Sequence, residues 1–435
     1  MVMESVKPST IEIGVHHVTR VEGHGNIVVD VKRGRIERCE LEVIEAPRFF
    51  EAMLHGQPFA QAAHLSSRIC GICSVSHSTA SLRANEKALG VEPSDQTKLL
   101  RRLNMVAEML DSHILHVYML VAPDLLGVGS IVPLAKSAPE VVRRALRMKQ
   151  LAGDICATIS GRHTHPIAMA VGGFTHFPSN NKLCELIGQL EEIRSEVDAT
   201  VEMFQKQEMP EFVRDTEYIA LHREDDYTFI DGAIVSSDGG SWSVDHYKDV
   251  TNEFLVSHST AKHARNRRDA YMVGALARFN LNYKQLHPRA ALAARNLGLK
   301  PKNINPYMNS IAQVVEIVHC VEEAIQIASQ LVEQGIEWED LAAPTRLSGD
   351  GVGAVEAPRG TLYHHYEIKN GFITAANCVI PTAQNLANIE ADMRSLIPQI
   401  IDQTPEEITL ALEMLVRAYD PCISCSTHLL DVEFV

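Results

Sequence analysis

The chain of 435 residues is 46% hydrophobic and 22% charged, with 40 Lys and Arg against 55 Asp and Glu and a formal net charge of −15. This is the balance of a globular protein with a sizeable core, and it excludes collagen, coiled coil and intrinsic disorder. An acidic chain with no Lys/Arg-rich stripe also matches neither nucleic acid nor an anionic membrane surface, which need clustered positive charge.

No run reaches the roughly 18 consecutive apolar residues of a membrane span. Met1 to Thr10 lacks the charged start and apolar core of a secretory signal. No membrane-spanning helix is therefore expected. Nine cysteines are too few for a disulfide scaffold and odd in number. A reducing, cytoplasmic compartment and metal or redox use are the expectation.

In chain order, residues 11–45 alternate apolar and polar positions, as in Ile11-Glu12-Ile13, Ile27-Val28-Val29-Asp30-Val31 and Leu41-Glu42-Val43, with breaks at Gly23-His24-Gly25 and Gly34. The alternation predicts a small antiparallel sheet. From about residue 58 the period changes. Leu99, Leu103, Val106, Leu110, Ile114, Val117 and Leu120 recur at three- and four-residue spacing and predict one long amphipathic helix. The same spacing runs from Leu183 to Phe204 and from Ile311 to Ala328. Residues 210–260, rich in Asp, Ser, Gly and Tyr, read as irregular or short-strand structure. Residues 350–385 read as strands after a glycine-rich turn. The expected class is α+β, predominantly helical: a long central helix bundle, a small N-terminal antiparallel sheet and peripheral strands. With no repeat, low-complexity tract or linker, residues 1–435 are expected to form a single catalytic unit.

Two Cys-x-x-Cys pairs stand near opposite ends. Cys70-Gly71-Ile72-Cys73 is followed by His77, and Cys422-Ile423-Ser424-Cys425 by His428. Three-residue spacing lets two thiolates face one point, as a metal requires. Either pair alone reads as well as core cysteines or a redox dithiol as it does as half of a metal site, and a nearby histidine in both favours a shared four-sulfur site. Zinc sites usually assemble from ligands tens of residues apart, so a separation of 349 positions disfavours a local zinc clip. Soft thiolates also suit iron and nickel. Spacing alone leaves the metal open.

The surrounding residues carry a resemblance. Arg68-Ile69-Cys70-Gly71-Ile72-Cys73-x-x-x-His77 and Asp420-Pro421-Cys422-Ile423-Ser424-Cys425-Ser426-Thr427-His428 closely resemble the two signature motifs of the large subunit of nickel–iron hydrogenases. The similarity runs along the chain through Arg20-Val21-Glu22-Gly23-His24, Pro47-Arg48-Phe49-Phe50-Glu51, His113-x-x-His116, Gly161-Arg162-His163-Thr164-His165-Pro166, Gly172-Gly173 and Glu356-Ala357-Pro358-Arg359-Gly360. The resemblance implies a nickel–iron centre, with Cys70 and Cys422 as terminal nickel ligands, Cys73 and Cys425 bridging, and carbon monoxide and cyanide on the iron. Hydrogen offers a protein no charge or hydrogen bond to grip, so a metal must polarise it, and heterolytic splitting leaves a proton needing a base. The resemblance assigns that role to Cys422, with Glu22 relaying the proton outward. It makes Arg359 the guanidinium roof of the metal pair and Pro358 part of the wall. Val379-Ile380-Pro381-Thr382 is similar to the family's strand after this turn. That match would aim the Thr382 hydroxyl at a diatomic ligand and the Cys378 carbonyl at a second metal, magnesium or iron(II), whose other ligands would be Glu51 and His428. His77 would lie within reach of a ligand sulfur. His113 and His116 read as satisfied interior residues.

Two departures stand out. Where many relatives have Asp just before the His-x-x-His helix motif, this chain has Ser112, which leaves Asp420 as the partner for Arg359. Family precursors are usually cut after the final histidine, which would remove residues 429–435. The implied activity is reversible H2 cleavage, with electrons leaving through an iron–sulfur small subunit because this chain has neither an iron–sulfur pattern nor G-x-G-x-x-G. Its length and ending look like the cytoplasmic, multimeric branch linked to NAD(P) or a deazaflavin through flavin and iron–sulfur diaphorase-type subunits. A maturation endopeptidase and nickel-insertion chaperones are implied as well. The alternatives are a hydrogen-sensing member, a non-catalytic scaffold like the quinone-site subunit of respiratory complex I, or a zinc or iron–sulfur protein. The four cysteines speak against the scaffold.

Overall fold

Period-two alternation near the N-terminus closes into a three-stranded antiparallel sheet of β1 (Thr10–Val15), β2 (Gly25–Lys32) and β3 (Arg35–Val43), with Ile13 opposite Val29 and Val29 opposite Cys39. The computed structural model describes residues 10–427, so His428 and residues 429–435 lie outside them. Ile27, Val29 and Val31 line the buried face of β2 and meet Cys39, Leu41 and Val43 of β3.

The helices follow in α1 (Ser74–Leu89), α2 (Asp95–Ile114), α3 (Pro139–Ser160), α4 (Asn180–Glu192), α5 (Arg194–Gln205), α6 (Ala275–Asn282) and α7 (Met308–Gln334). Ser94 caps α2 by accepting from Thr97 N, and Gly90 ends α1 in the left-handed conformation at φ 63°. Both are ordinary stop and start signals. The helical rod Asp95–Leu125 is long and apolar enough to cross a membrane, but 78% of its most apolar window is buried inside the protein. It is a core helix, packed on α3 and α7.

Two of the long helices are less regular than their spacing predicts. After Ile114 the rod widens into π-helix over Leu115–Val121, just before Pro123. Proline has no N–H to give the preceding turn and crowds it, and nearby the Leu120 carbonyl accepts from Arg20 Nη1 at 2.8 Å. The run from Leu183 to Phe204 is kinked at Ile193, which ends α4 and starts α5.

Residues 210–260 hold short strands as expected, β4 (Glu217–His222) and β5 (Ala233–Ser236) pairing antiparallel. A second three-stranded antiparallel sheet follows, β6 (Gly349–Ala357), β7 (Gly360–Lys369) and β8 (Phe372–Val379), leading into α8 (Pro381–Ile400) and α9 (Pro405–Ala418). The helix-dominated α+β class stands, while this sheet lies deeper than peripheral strands would, with seven successive residues of β6 buried.

The glycine-rich run expected as a turn is itself the first half of β6. A Cβ on Gly349, Gly351 or Gly353 would stand 2.1, 2.2 and 2.1 Å from the carbonyls of Ala88, Ala84 and Ala80. Alternate glycines on a strand thus face the alanines at every fourth position of α1, so that helix and strand backbones nearly touch. This contact matters because α1 begins directly after Cys73 and β6 ends at the Pro358-Arg359 turn. Gly351→Ala is expected to cost about 1–3 kcal/mol through overpacking, read as a lower chemical denaturation midpoint. An unchanged midpoint would contradict the close approach.

Candidate metal centre

Each cysteine pair sits where an irregular segment enters a helix. The first follows a 3-10 turn, Ser67–Ile69, and the second leads into the one-turn helix Ile423–Ser426. Cys70 Sγ accepts from the Ile72 and Cys73 amides at 3.3 Å each, which curls the first loop around its own sulfur. Arg48 joins the two halves. Its Nη1 donates to Ile69 O at 2.7 Å, its Nη2 to Arg68 O at 3.1 Å, and its backbone N to Thr427 O at 2.8 Å.

The sulfurs meet as Cys70–Cys422 at 3.5 Å, Cys73–Cys425 at 3.9 Å and Cys422–Cys425 at 2.8 Å. All four thiols are buried and free, and lie within 4.8 Å of one another. Hydrogen bonds from Cys422, Cys425 and Cys73 pull the Cys70 thiol well below its ordinary value. Burial and the neighbouring sulfurs push Cys425 well above its own, and Cys422 also rises despite its bond to Cys425. The set can carry one thiolate by itself. A second buried anion beside the first needs positive charge, and the cation at hand is Arg359. Soft, anionic sulfur donors converging on one point are therefore a donor set that suits nickel, iron or zinc.

Arg359 is itself held from two sides. Its Nε donates to Asp420 O at 2.7 Å, its Nη2 to Asp420 Oδ1 at 2.8 Å, and its Nη1 reaches Ser112 Oγ at 3.5 Å. Gln313 Nε2 donates to the other Asp420 oxygen at 3.0 Å. Burial opposes the charge on Arg359, but Asp420, Cys422, Cys73 and Cys70 outweigh it and keep the guanidinium protonated. Asp420 thus occupies the role vacated where Ser112 replaces aspartate. The turn carrying Arg359 is fixed from below by Arg278, whose Nη1 donates to Ala357 O at 2.9 Å and Nη2 to Pro358 O at 3.0 Å. Arg278 also pairs with Glu316 and Glu356 in full burial. Burial alone would raise Glu316, but Arg278 and then His113 hold it well below the usual carboxylate range.

Glu22 lies beside the second pair because its segment forms a parallel bridge with Cys422. Ile423 N donates to Glu22 O at 2.9 Å, Ser424 N to Glu22 Oε2 at 3.0 Å, and Cys422 Sγ stands 3.2 Å from the same oxygen. Gly23 is required there: at φ 87°, a Cβ would stand 2.8 Å from both Ile423 Cβ and Ser424 N.

His77 lines the cysteine pocket with Pro381 and Thr382. Its Nδ1 is 3.0 Å from His364 Nε2, and burial pushes it down to about 4, so it is neutral. Thr382 is not on a strand as the sequence suggested. Pro381 starts α8, because its fixed φ suits a first helical turn, and the Thr382 hydroxyl is occupied in accepting from Cys422 N at 2.8 Å. At Cys378 it is the amide N–H that meets Glu51, donating to Oε1 at 2.7 Å. Burial pushes Glu51 up to about 7, against the pull of that amide and of Lys262. His113 and His116 are interior residues, His113 2.6 Å from Glu316 Oε2, His116 bonded to Gln313 and 2.7 Å from Arg417 O.

The roles of Arg48, Gln313, Arg278 and Glu108 are not legible in the sequence. Glu108 projects from α2 to accept from Val75 N at 2.6 Å and Ser76 N at 2.8 Å, capping α1 just after Cys73. Burial raises Glu108 to about 8 despite those bonds. Nothing local to any of these residues announces a partner tens to hundreds of positions away.

The family model described as nickel-dependent hydrogenase matches residues 48–143 and 242–428. Among known proteins, the chain is 34% identical over 422 residues to sulfhydrogenase 1 subunit alpha of Pyrococcus furiosus, covering 96% of this chain and 98% of that one. It is 27% identical over 459 residues to NAD-reducing hydrogenase HoxS subunit beta of Cupriavidus necator, covering 95% and 94%. Among solved structures, an NAD+-reducing nickel–iron hydrogenase in the H2-reduced state superposes with a TM-score of 0.86 at 27% identity, over 97% of this chain and 100% of that one. Sequence, fold and the gathered cysteines agree that the chain belongs to the nickel-dependent hydrogenase family, as a large subunit of the catalytic type.

Proposed function

We propose that this single catalytic unit cleaves H2 reversibly into protons and electrons at Cys70, Cys73, Cys422 and Cys425. Electrons would pass to an iron–sulfur small subunit and on, through diaphorase-type flavin and iron–sulfur subunits, to NAD(P) or a similar carrier. The similarity to an NAD-reducing hydrogenase supports that carrier, and nine free cysteines suit a reducing cytoplasm. A small subunit, nickel-insertion chaperones and an endopeptidase removing residues 429–435 complete the assembly.

The observation that carries this reading is the 3.2 Å separation of Cys422 Sγ from Glu22 Oε2. A nickel–iron pair, with carbon monoxide and cyanide on the iron, supplies the Lewis acidity that polarises hydrogen. Cys422 takes the proton and Glu22 receives it across that contact, because a carboxyl group can accept on one oxygen and donate from the other. Ser424 N holds Glu22 in place. A second carboxylate stands next outward, since Glu45 Oε1 accepts from Ser424 Oγ at 3.2 Å and from His24 N at 2.8 Å. Arg359, with its roofing fork anchored on Asp420, keeps donors free for cyanide nitrogens, and Pro358 closes the wall.

Glu51 would bind magnesium or iron(II) together with the Cys378 carbonyl and His428. A buried carboxylate with one amide donor and a lysine nearby has oxygen lone pairs to offer a hard cation.

Glu22→Gln should retain nickel and iron but lose about 10²–10⁴-fold in H2/D2O exchange, the usual worth of a positioned proton carrier. Full exchange activity in that variant would remove Glu22 from the pathway. For Glu51 the sign runs through its raised value of about 7. Without a cation, the folded state holds a proton that the unfolded chain loses near pH 4.5, so this group's contribution to stability falls as pH rises from there to about 7. Magnesium needs the carboxylate, so its affinity should be about tenfold lower at pH 6 than at pH 8. Thermal melts with and without Mg²⁺ at both values check this, and Glu51→Gln should abolish the difference.

A further inference from the structure

A second ligand set stands apart from the cysteines. Phe254 and His263 pair antiparallel, N to O at 2.8 and 2.9 Å, so the chain between them doubles back as a loop. Thr260 hangs that loop on the N-terminal sheet, its N donating to Val43 O at 3.0 Å and its hydroxyl to Glu45 O at 2.7 Å. The loop thereby aims two imidazoles at Glu390 of α8. His258 Nε2 lies 2.7 Å and His263 Nε2 3.5 Å from Glu390 Oε1, which also accepts from Leu41 N at 3.0 Å. One ligand atom from each of the three residues falls within 4.8 Å of the others. The two rings stand edge to face at 86°, with centroids 5.7 Å apart.

Hydrogen bonding accounts poorly for His263. It is 1% exposed, its Nδ1 makes no hydrogen bond, and its Nε2 has only the long 3.5 Å ion-pair contact with Glu390, a costly condition for a buried polar group. A cation would engage Nε2. In a tetrahedral site with metal–nitrogen and metal–oxygen distances near 2.0–2.2 Å, ligand atoms stand about 3.3–3.5 Å apart. The His263–Glu390 separation already matches, and the His258–Glu390 pair need open only by about 0.6 Å once the shared proton leaves. His258 and Glu390 keep 17% and 18% side-chain exposure, so water can reach a fourth position.

We propose that His258, His263 and Glu390 bind a first-row divalent cation, zinc foremost, which clips the 254–263 loop to α8 and the N-terminal sheet. Two imidazoles and one carboxylate are a borderline donor set that suits zinc better than magnesium or calcium. The site is independent of the hydrogenase reading, because none of its ligands touches the cysteine pocket.

The test uses the purified complex, stripped with a chelator, dialysed against Zn²⁺ and analysed for zinc and nickel. Wild type should hold one more zinc per large subunit than the His258→Gln/His263→Ala double variant, with nickel equal in both. Glu390→Gln keeps a carbonyl for Leu41 N and so guards against misfolding. It should weaken Zn²⁺ at least tenfold while melting like the stripped wild type. Equal zinc in wild type and both variants, or no zinc-dependent rise in wild-type melting temperature beyond theirs, would overturn the proposal.

Discussion

Four cysteine thiols in a dry pocket, with one guanidinium for company, cannot all be anions unless further cations join them. This charge constraint organises the centre of the molecule. The thiols come from opposite ends of the chain, and Arg48 binds their two loops to each other. Isolated charges are too costly to bury, so the charged groups around Arg359 are paired or hydrogen-bonded. Arg359 rests on Asp420, Asp420 on Gln313, and the Arg359 turn on Arg278, which is neutralised in turn by Glu316 and Glu356. Removing one member of such a set strands the others, a loss of about 3–5 kcal/mol for a buried pair.

Packing gives these polar contacts their precision. α1 starts at the residue after Cys73, and Glu108 caps it with a carboxylate from a neighbouring helix. The alanine face of α1 lies against the glycines of β6, and β6 runs on into the turn that presents Arg359. One helix–strand contact therefore fixes the distance between the first cysteine pair and its guanidinium roof. On the other side, Thr382 in the first turn of α8 holds the Cys422 amide, and Glu22 docks on the next two residues. A displacement of any of these elements would move a sulfur.

Patterns that repeat locally were readable in the sequence. The N-terminal sheet, the long helices and both cysteine pairs each announce themselves within a dozen residues, and Asp420 could be reached by asking what replaces the aspartate missing at Ser112. Other features were hidden for physical reasons. Alternate glycines look like a turn until a helix of small residues is seen lying on them. Pro381 and Thr382 resemble a strand end, yet proline opens α8 and turns the hydroxyl to the Cys422 amide. The π-helical stretch leads into Pro123, a widening that the apolar spacing alone does not encode. Glu108 and Glu390 sit on helices as unremarkable charged residues, and only the folded chain shows what each carboxylate meets.

The most direct test of the four-thiolate centre is nickel K-edge X-ray absorption on the purified complex. Nickel should stand in a shell of four sulfurs, the number of thiolates that Cys70, Cys73, Cys422 and Cys425 supply. Nickel absent from the mature complex, or bound through nitrogen and oxygen alone, would contradict it.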